Sequence, residues 1–257
     1  MVNLKKYPIG LKEIGLILTF FVVISCSQRY HVEKIEGKEI NVNENTIPAP
    51  SIEAFVKPYR ENIDKDLNTV LAYSPQTLDK SGELQTTIGN LLADVCLEKS
   101  NKIFRIREKK DVDICLLNSG GIRSIIPKGN VTTRTAFEIM PFENSLVVAT
   151  LKGAQLLEIA QYIINERKAH PLAGMTFVIS ADKQPKNIMI GGKNLEMEKV
   201  YYVVTSDYLL NGGDKMDFFK KSARNHDLDY KIRNVLIDYF KDVDTIQVIT
   251  DSRIRKE

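Results

Sequence analysis

Two glycine-bearing turns, each directly after an apolar run, are the stretches of this sequence best equipped to hold a ligand. Asn118-Ser119-Gly120-Gly121-Ile122-Arg123 follows the run 112–117. Paired glycines permit positive φ and let backbone N–H groups approach a bound group closely, and such donors can form a concave anion-binding surface. Arg123 adds a planar, permanently charged fork suited to a carboxylate or phosphate. The second turn, Asn211-Gly212-Gly213-Asp214, follows the run 201–206, with Tyr208 just before it. A carboxylate at 214 can accept hydrogen bonds from a vicinal diol such as ribose. Phe142, in Pro141-Phe142-Glu143-Asn144, offers a ring that can stack on a flat heterocycle. Taken singly, each fragment has an ordinary structural reading: Gly-Gly after a strand is usually a turn, Phe142 can be core, and Asp214 can be a turn former. Their conjunction in one chain changes the balance.

Reactive chemistry is harder to find. The three histidines are His31, His170 and His226, and no two of them stand at a helical or hairpin ligand spacing. Histidine is the commonest metal ligand, so neither a dinuclear hydrolytic centre nor a catalytic residue is expected here. No Gly-x-Ser-x-Gly nucleophile elbow occurs, and Ser119, though it follows a strand-like run, has no histidine assigned to it.

The elements that would position these turns alternate in type. A helix is expected from about Ser51, with Ile52, Phe55, Val56, Tyr59, Ile63 and Leu67 on one face. A strand over 69–73 follows, then a helix capped by Thr86 or Thr87 with Ile88, Leu91, Leu92 and Val95 as its apolar stripe. Strands are expected over 112–117, 146–151, 175–180, 187–190, 201–206 and 245–249, and helices over 132–140, from Gly153 onward and over 230–240. Such mixing indicates an α/β or α+β domain over 51–257 and excludes a pure bundle or sandwich.

Upstream, Lys5, Lys6 and Lys12 precede the uncharged apolar run 14–25, which is shorter than the roughly 20 residues a bilayer span needs. The run fits a secretory signal over 1–25. Val23-Ile24-Ser25-Cys26 resembles a bacterial lipobox, which would place a lipid on Cys26 and anchor the chain at a membrane of the cell envelope, facing the periplasm. A short membrane anchor followed by an incidental cysteine is the alternative. The polar stretch 26–50 reads as a tether. The whole chain has a formal charge of +3, of which three lysines minus Glu13 in the leader supply +2. The remainder, at +3 − 2 = +1, carries no electrostatic signature for nucleic acid. Cys96 and Cys115 could form a disulfide in an oxidising compartment, yet both lie in apolar stretches that favour buried thiols.

Several ordered stretches together resemble the C-terminal domain of the 5′-nucleotidase family, which includes UDP-sugar hydrolases and 2′,3′-cyclic-nucleotide phosphodiesterases. They are Ile88-Gly89-Asn90-Leu91-Leu92-Ala93-Asp94, the turn from Asn118 to Arg123, the Pro141 to Asn144 segment, Leu151-Lys152-Gly153, and the segment from Tyr208 to Asp214. The resemblance implies a four-layer α/β/β/α domain binding a nucleotide or nucleoside. Phe142 and Tyr208 would sandwich the base, Asp214 would accept the ribose hydroxyls, and Asn118 and Asn144 would meet the base edge. Gly120 and Gly121 would offer backbone, and Arg123 would reach the phosphate. Departures are visible too. Tyr208 stands where phenylalanine is usual, the usual upstream arginine falls near Leu84 with Gln85 in place of glutamate, and Lys215-Met216 replaces a glycine-aromatic pair. The family's metallophosphoesterase domain, with Asp-x-His and Asn-His-Glu motifs, has no counterpart in these residues. The expectation is therefore a nucleotide-binding subunit of a split 5′-nucleotidase. Its separate metallophosphoesterase chain would hold divalent metals such as Mn or Zn. The alternatives are a non-catalytic nucleotide- or nucleoside-binding lipoprotein and a degenerate domain kept for interaction.

Overall fold

The computed structural model describes residues 10, 13–16, 18, 31–43, 46–47 and 49–257. Cys26 and most of the leader lie outside them. Residues 31–43 carry no regular secondary structure and are exposed. Among the described residues, no helix is long and apolar enough to cross a membrane. The chain divides into two units, Met1–Ile52 and Glu53–Glu257.

The second unit is centred on a five-stranded sheet. Strand β9 (Val200–Ser206) has β4 (Ser145–Lys152) on one side and β2 (Ile114–Leu116) on the other. Beyond them lie β10 (Asn225–Lys231), paired with β4, and the two-residue β5 (Leu172–Ala173), paired with β2. Strand β4 runs antiparallel to β9 in seven matched pairs, from Leu146 opposite Ser206 to Lys152 opposite Val200. Strand β2 runs parallel to β9, with Ile114 opposite Val203 and Cys115 opposite Val204. These three strands are mostly apolar and mostly buried, as expected for strands covered on both faces.

One face of this sheet is covered by α2 (Thr87–Glu108) and α6 (Ile232–Asp242), joined by α3 (Thr133–Ile139). Their core includes Leu91, Leu92, Phe104, Val148, Val204, Leu236 and Phe240. The other face meets α4 (Gly153–Glu166) and a second, four-stranded sheet ordered β11-β6-β7-β8. Its strands are β6 (Met175–Ile179), β7 (Pro185–Ile190), β8 (Lys193–Asn194) and β11 (Ile254–Lys256). Ile159, Ile163, Phe177, Ile190 and Tyr201 lie in that second core. The result is the expected α/β/β/α layering. Burying each such Leu, Ile or Val contributes roughly 1.5–3 kcal/mol. Cys96 and Cys115 are free, buried thiols in contact with each other, and burial pushes the Cys115 thiol well above the usual range. Thr86 caps α2 by accepting from the Gly89 amide at 3.0 Å.

Three expectations change. The helix near Ser51 forms as α1 (Pro50–Leu67), starting one residue earlier, but no residue in it is buried. Ile52, Phe55, Tyr59 and Ile63 are all more than half exposed. Amphipathic spacing specifies a face, not a neighbour to cover it. The final strand is not 245–249, where only Thr245 bridges to Tyr73. It is β11, aligned parallel to β6 and fixed by buried Arg253, which bonds the Asp94 carboxylate at 2.5 Å and the Leu172 carbonyl. Strand β10 has no signal in the sequence, because its residues Asn-His-Asp-Leu-Asp-Tyr-Lys are mostly polar and it lies at a sheet edge. A short ladder between β1 (Val70–Ser74) and β3 (Gly129–Thr132) completes the domain.

The glycine of Leu151-Lys152-Gly153 has a packing reason. A Cβ there would stand 2.1 Å from the Glu196 carbonyl oxygen and 2.8 Å from Met197 Cα, both backbone atoms. Gly153→Ala should therefore destabilise the domain by about 1–3 kcal/mol, despite alanine's better helix propensity. Urea denaturation of the variant and the parent would measure it, and an unchanged midpoint would refute the packing account.

Candidate functional site

Because β2 is parallel to β9 and β4 antiparallel to it, three connections converge at one end of the sheet. They are the segment leaving β2, the segment entering β4 and the segment leaving β9. Those are the 118–123 turn, the 141–144 loop and the 208–214 turn. Between them lies a cavity of about 380 Å³, within the range of small-molecule sites. Asn118, Gly120, Gly121, Arg123, Phe142, Asn144, Tyr208 and Asp214 line it. Residues from three distant parts of the sequence thus share one wall.

Each turn has its own local cause. Ser206 ends β9 by capping a short helix, α5 (Asp207–Leu210), accepting from the Leu209 amide at 3.1 Å. The chain then bends through left-handed Gly212 (φ +85), Asp214 (φ +51) and Lys215 (φ +61). Gly213 is needed for space: its Cβ would lie 2.4 Å from a carbon of the Tyr208 ring, which rests against it. In the first turn the glycines serve a different purpose from the one expected. Neither Gly120 nor Gly121 has positive φ. A Cβ on Gly121 would instead stand 2.9 Å from Asn118 Oδ1, so the absent side chain lets Asn118 fold over the turn.

The Asp214 carboxylate is the hub of the cavity. Its Oδ2 accepts from Asn118 Nδ2 at 2.6 Å and its Oδ1 accepts from the Tyr208 hydroxyl at 2.9 Å. The Asp214 amide donates back to the Tyr208 oxygen at 3.2 Å. Arg123 is exposed and uses one donor on the Gly120 carbonyl at 3.3 Å, with its guanidinium carbon 5.8 Å from the Phe142 ring centre. Phe142 and Tyr208 are each 45% exposed and line the cavity, which leaves ring surface open to it. The Asn144 carboxamide makes no hydrogen bond among the described residues.

Three positioning residues are not visible in the sequence. Arg233, 8% exposed at the start of α6, donates to the Met140, Pro141 and Phe142 carbonyls at 2.8, 2.7 and 3.1 Å. It thereby clamps the loop that carries Phe142. Its guanidinium also packs 4.3 Å from the Phe137 ring centre. Tyr162 on α4 donates to the Asp214 carbonyl at 2.7 Å, and its phenol is pushed up to about 12, first by burial and then by the Glu166 and Asp214 charges. His170 is buried, and its Nδ1 accepts from the Ser119 amide at 3.3 Å. None of these has a motif, since each acts on a segment far away in the sequence.

The donor set does not suit a metal ion. The cavity offers one carboxylate, already bonded on both oxygens, and no histidine. Among the described residues, no three His, Cys, Asp or Glu side chains gather where an ion could be held.

Comparison with known proteins places the fold. Residues 67–221 match the 5′-nucleotidase C-terminal domain, more than half of the chain, so the chain belongs to that family. It is 24% identical over 95% of its length to an apyrase of Tabanus yao, covering 47% of that protein. It is 22% identical over 91% of its length to a human 5′-nucleotidase, covering 45%. The chain thus spans less than half the length of these relatives. A solved 5′-nucleotidase precursor from Thermus thermophilus superposes with a TM-score of 0.69 at 23% identity. That alignment covers 79% of this chain and 42% of the other, and it shows a shared fold.

Burial holds the His170 imidazole below its usual pKa, with the Asp214 and Glu166 charges opposing and Lys168 reinforcing that shift. The unfolded chain then binds the proton more readily, so the stability that neutral His170 contributes is present above pH ~6.5 and is lost as pH falls through the lower folded pKa. Denaturant midpoints followed from about pH 7.5 down into the acid range below pH ~6.5 should show a smaller acid loss in His170→Gln than in the parent. Equal losses would remove His170 from the account.

Proposed function

We propose that this chain is the nucleotide-binding subunit of a split 5′-nucleotidase, working with a metallophosphoesterase on a separate chain. The observation carrying this reading is one cavity bordered by two exposed rings, a carboxylate, a free carboxamide and an arginine. Phe142 and Tyr208 would hold the flat base between them, stacking that tolerates any base. Asn144 would supply a hydrogen-bonding edge. Asp214 would accept from the sugar, and Arg123, with most of its fork uncommitted, would bind the phosphate. Fixing both ends of the nucleotide would spend binding energy on orienting the ester for attack. Divalent metals such as Mn or Zn, held by the partner, would activate water there. Nucleotide catabolism fits the 5′-nucleotidases and apyrase to which the chain is similar.

The purified chain should bind AMP at micromolar levels without metal, with Phe142→Ala weakening binding at least tenfold in calorimetry. It should hydrolyse AMP only when the partner and Mn²⁺ or Zn²⁺ are added. Binding without rescue by any metallophosphoesterase would leave a non-catalytic nucleotide-binding protein, and no binding would overturn the reading altogether.

Anchoring through a lipid on Cys26 rests on the basic leader, the apolar run and the lipobox-like Val23-Ile24-Ser25-Cys26. In a bacterial host, Cys26→Ser should move the protein from the membrane to the soluble envelope fraction. Retention in the membrane by the variant would exclude the lipid anchor.

A further inference from the structure

The Asp214 carboxylate is already engaged on the cavity side. A carboxylate offers about four lone-pair sites, two on each oxygen. The Tyr208 hydroxyl takes one on Oδ1 at 2.9 Å and Asn118 takes one on Oδ2 at 2.6 Å. The phenol is held at two points, because its oxygen also accepts from the Asp214 amide at 3.2 Å. Its ring rests on Gly213, where no side chain pushes it away. Tyr208 and Asp214 thus form a closed local loop at the end of β9, with the phenolic O–H presented to the carboxylate as a sugar hydroxyl would be.

A vicinal diol bound by a carboxylate places one hydroxyl on each oxygen. Here the hydroxyl arriving at Oδ1 must displace the phenol or share the oxygen with it. Exchanging one O–H···O⁻ hydrogen bond for another, or adding a second donor to an oxygen already bonded, gains less than a first bond to a free carboxylate oxygen. That first bond is worth about tenfold or more in affinity. On the nucleoside reading of the cavity, we infer that the Tyr208 hydroxyl is a built-in substitute for one ribose hydroxyl. It makes the site nearly indifferent to that hydroxyl and opens it to deoxyribonucleosides and deoxyribonucleotides as well as ribose forms. Tyr208 is then a specificity-determining residue as well as a stacking surface.

The test is calorimetric titration of the full chain and of Tyr208→Phe with adenosine, 2′-deoxyadenosine and 3′-deoxyadenosine. The parent should bind at least one deoxynucleoside within about threefold of adenosine. Tyr208→Phe keeps the ring and frees Oδ1, so adenosine should tighten about tenfold while that deoxynucleoside stays where it was. The ratio therefore opens through the ribose form alone, which a general loosening of the loop would not produce. A parent that rejects both deoxynucleosides tenfold or more overturns the inference by itself, whatever the variant does. An unchanged ratio in Tyr208→Phe overturns it as well. Either result, with adenosine bound, leaves the nucleoside reading standing; failure of all three to bind either protein removes both.

Discussion

The seven-pair antiparallel ladder between β4 and β9 decides where everything else in this domain can be. Once Leu146 faces Ser206, the residues just before β4 and just after β9 lie at the same end of the sheet. The parallel pairing of β2 with β9 then brings a third connection to that end. A one-residue slip would send every side chain of β4 to the opposite face. It would exchange Val148, in the core under α2 and α6, for Ala149, in the core under α4. Both faces are buried, so the register is specified twice, once by each core. The cavity inherits its geometry from that double constraint.

A ladder fixes where loops start but not their shape, and here side chains take over. The 141–144 loop bonds through Arg233, whose guanidinium satisfies three consecutive carbonyls. Hydrogen bonds from a charged donor are stronger than neutral ones, so one guanidinium holds the loop at three points. The 208–214 turn is tied by Tyr162 to α4, and the 118–121 turn is tied by His170. Each cavity loop is therefore tied down by a side chain from a distant part of the sequence. The groups facing the cavity remain exposed because others hold the backbone in place.

This division of labour also explains how much of the structure is legible in the sequence. The eight cavity residues can be read because they sit in short stretches with distinctive types, such as Gly-Gly after an apolar run or Phe142 between Pro141 and Glu143. The strands at the centre of the sheet can be read because burial on both faces makes them nearly continuous apolar runs. Arg233, Tyr162 and His170 cannot, since a clamp is defined by a distant carbonyl or amide and leaves no local pattern. The apolar stripe of α1 is legible as a stripe, but its exposure is not. Strand β10 is hidden for the opposite reason, being polar at an edge where backbone pairing with β4 suffices.

The paired glycines show how a correct location can rest on an incorrect cause. Glycine in a turn suggests torsional freedom, yet Gly120, Gly121 and Gly213 do not have positive φ. Two of the three instead make room for a cavity side chain: Gly121 for the Asn118 carboxamide and Gly213 for the Tyr208 ring. Those two side chains are the ones that bond the Asp214 carboxylate. The glycines and the carboxylate therefore form one mechanical unit, in which the lack of a Cβ at two positions lets two polar groups close on a third. Left-handed torsion in the second turn is confined to Gly212, Asp214 and Lys215, where the chain must reverse to present that carboxylate. Space and torsion are separate requirements of the same turn, and only the second can be filled by a residue other than glycine, as Asp214 itself demonstrates.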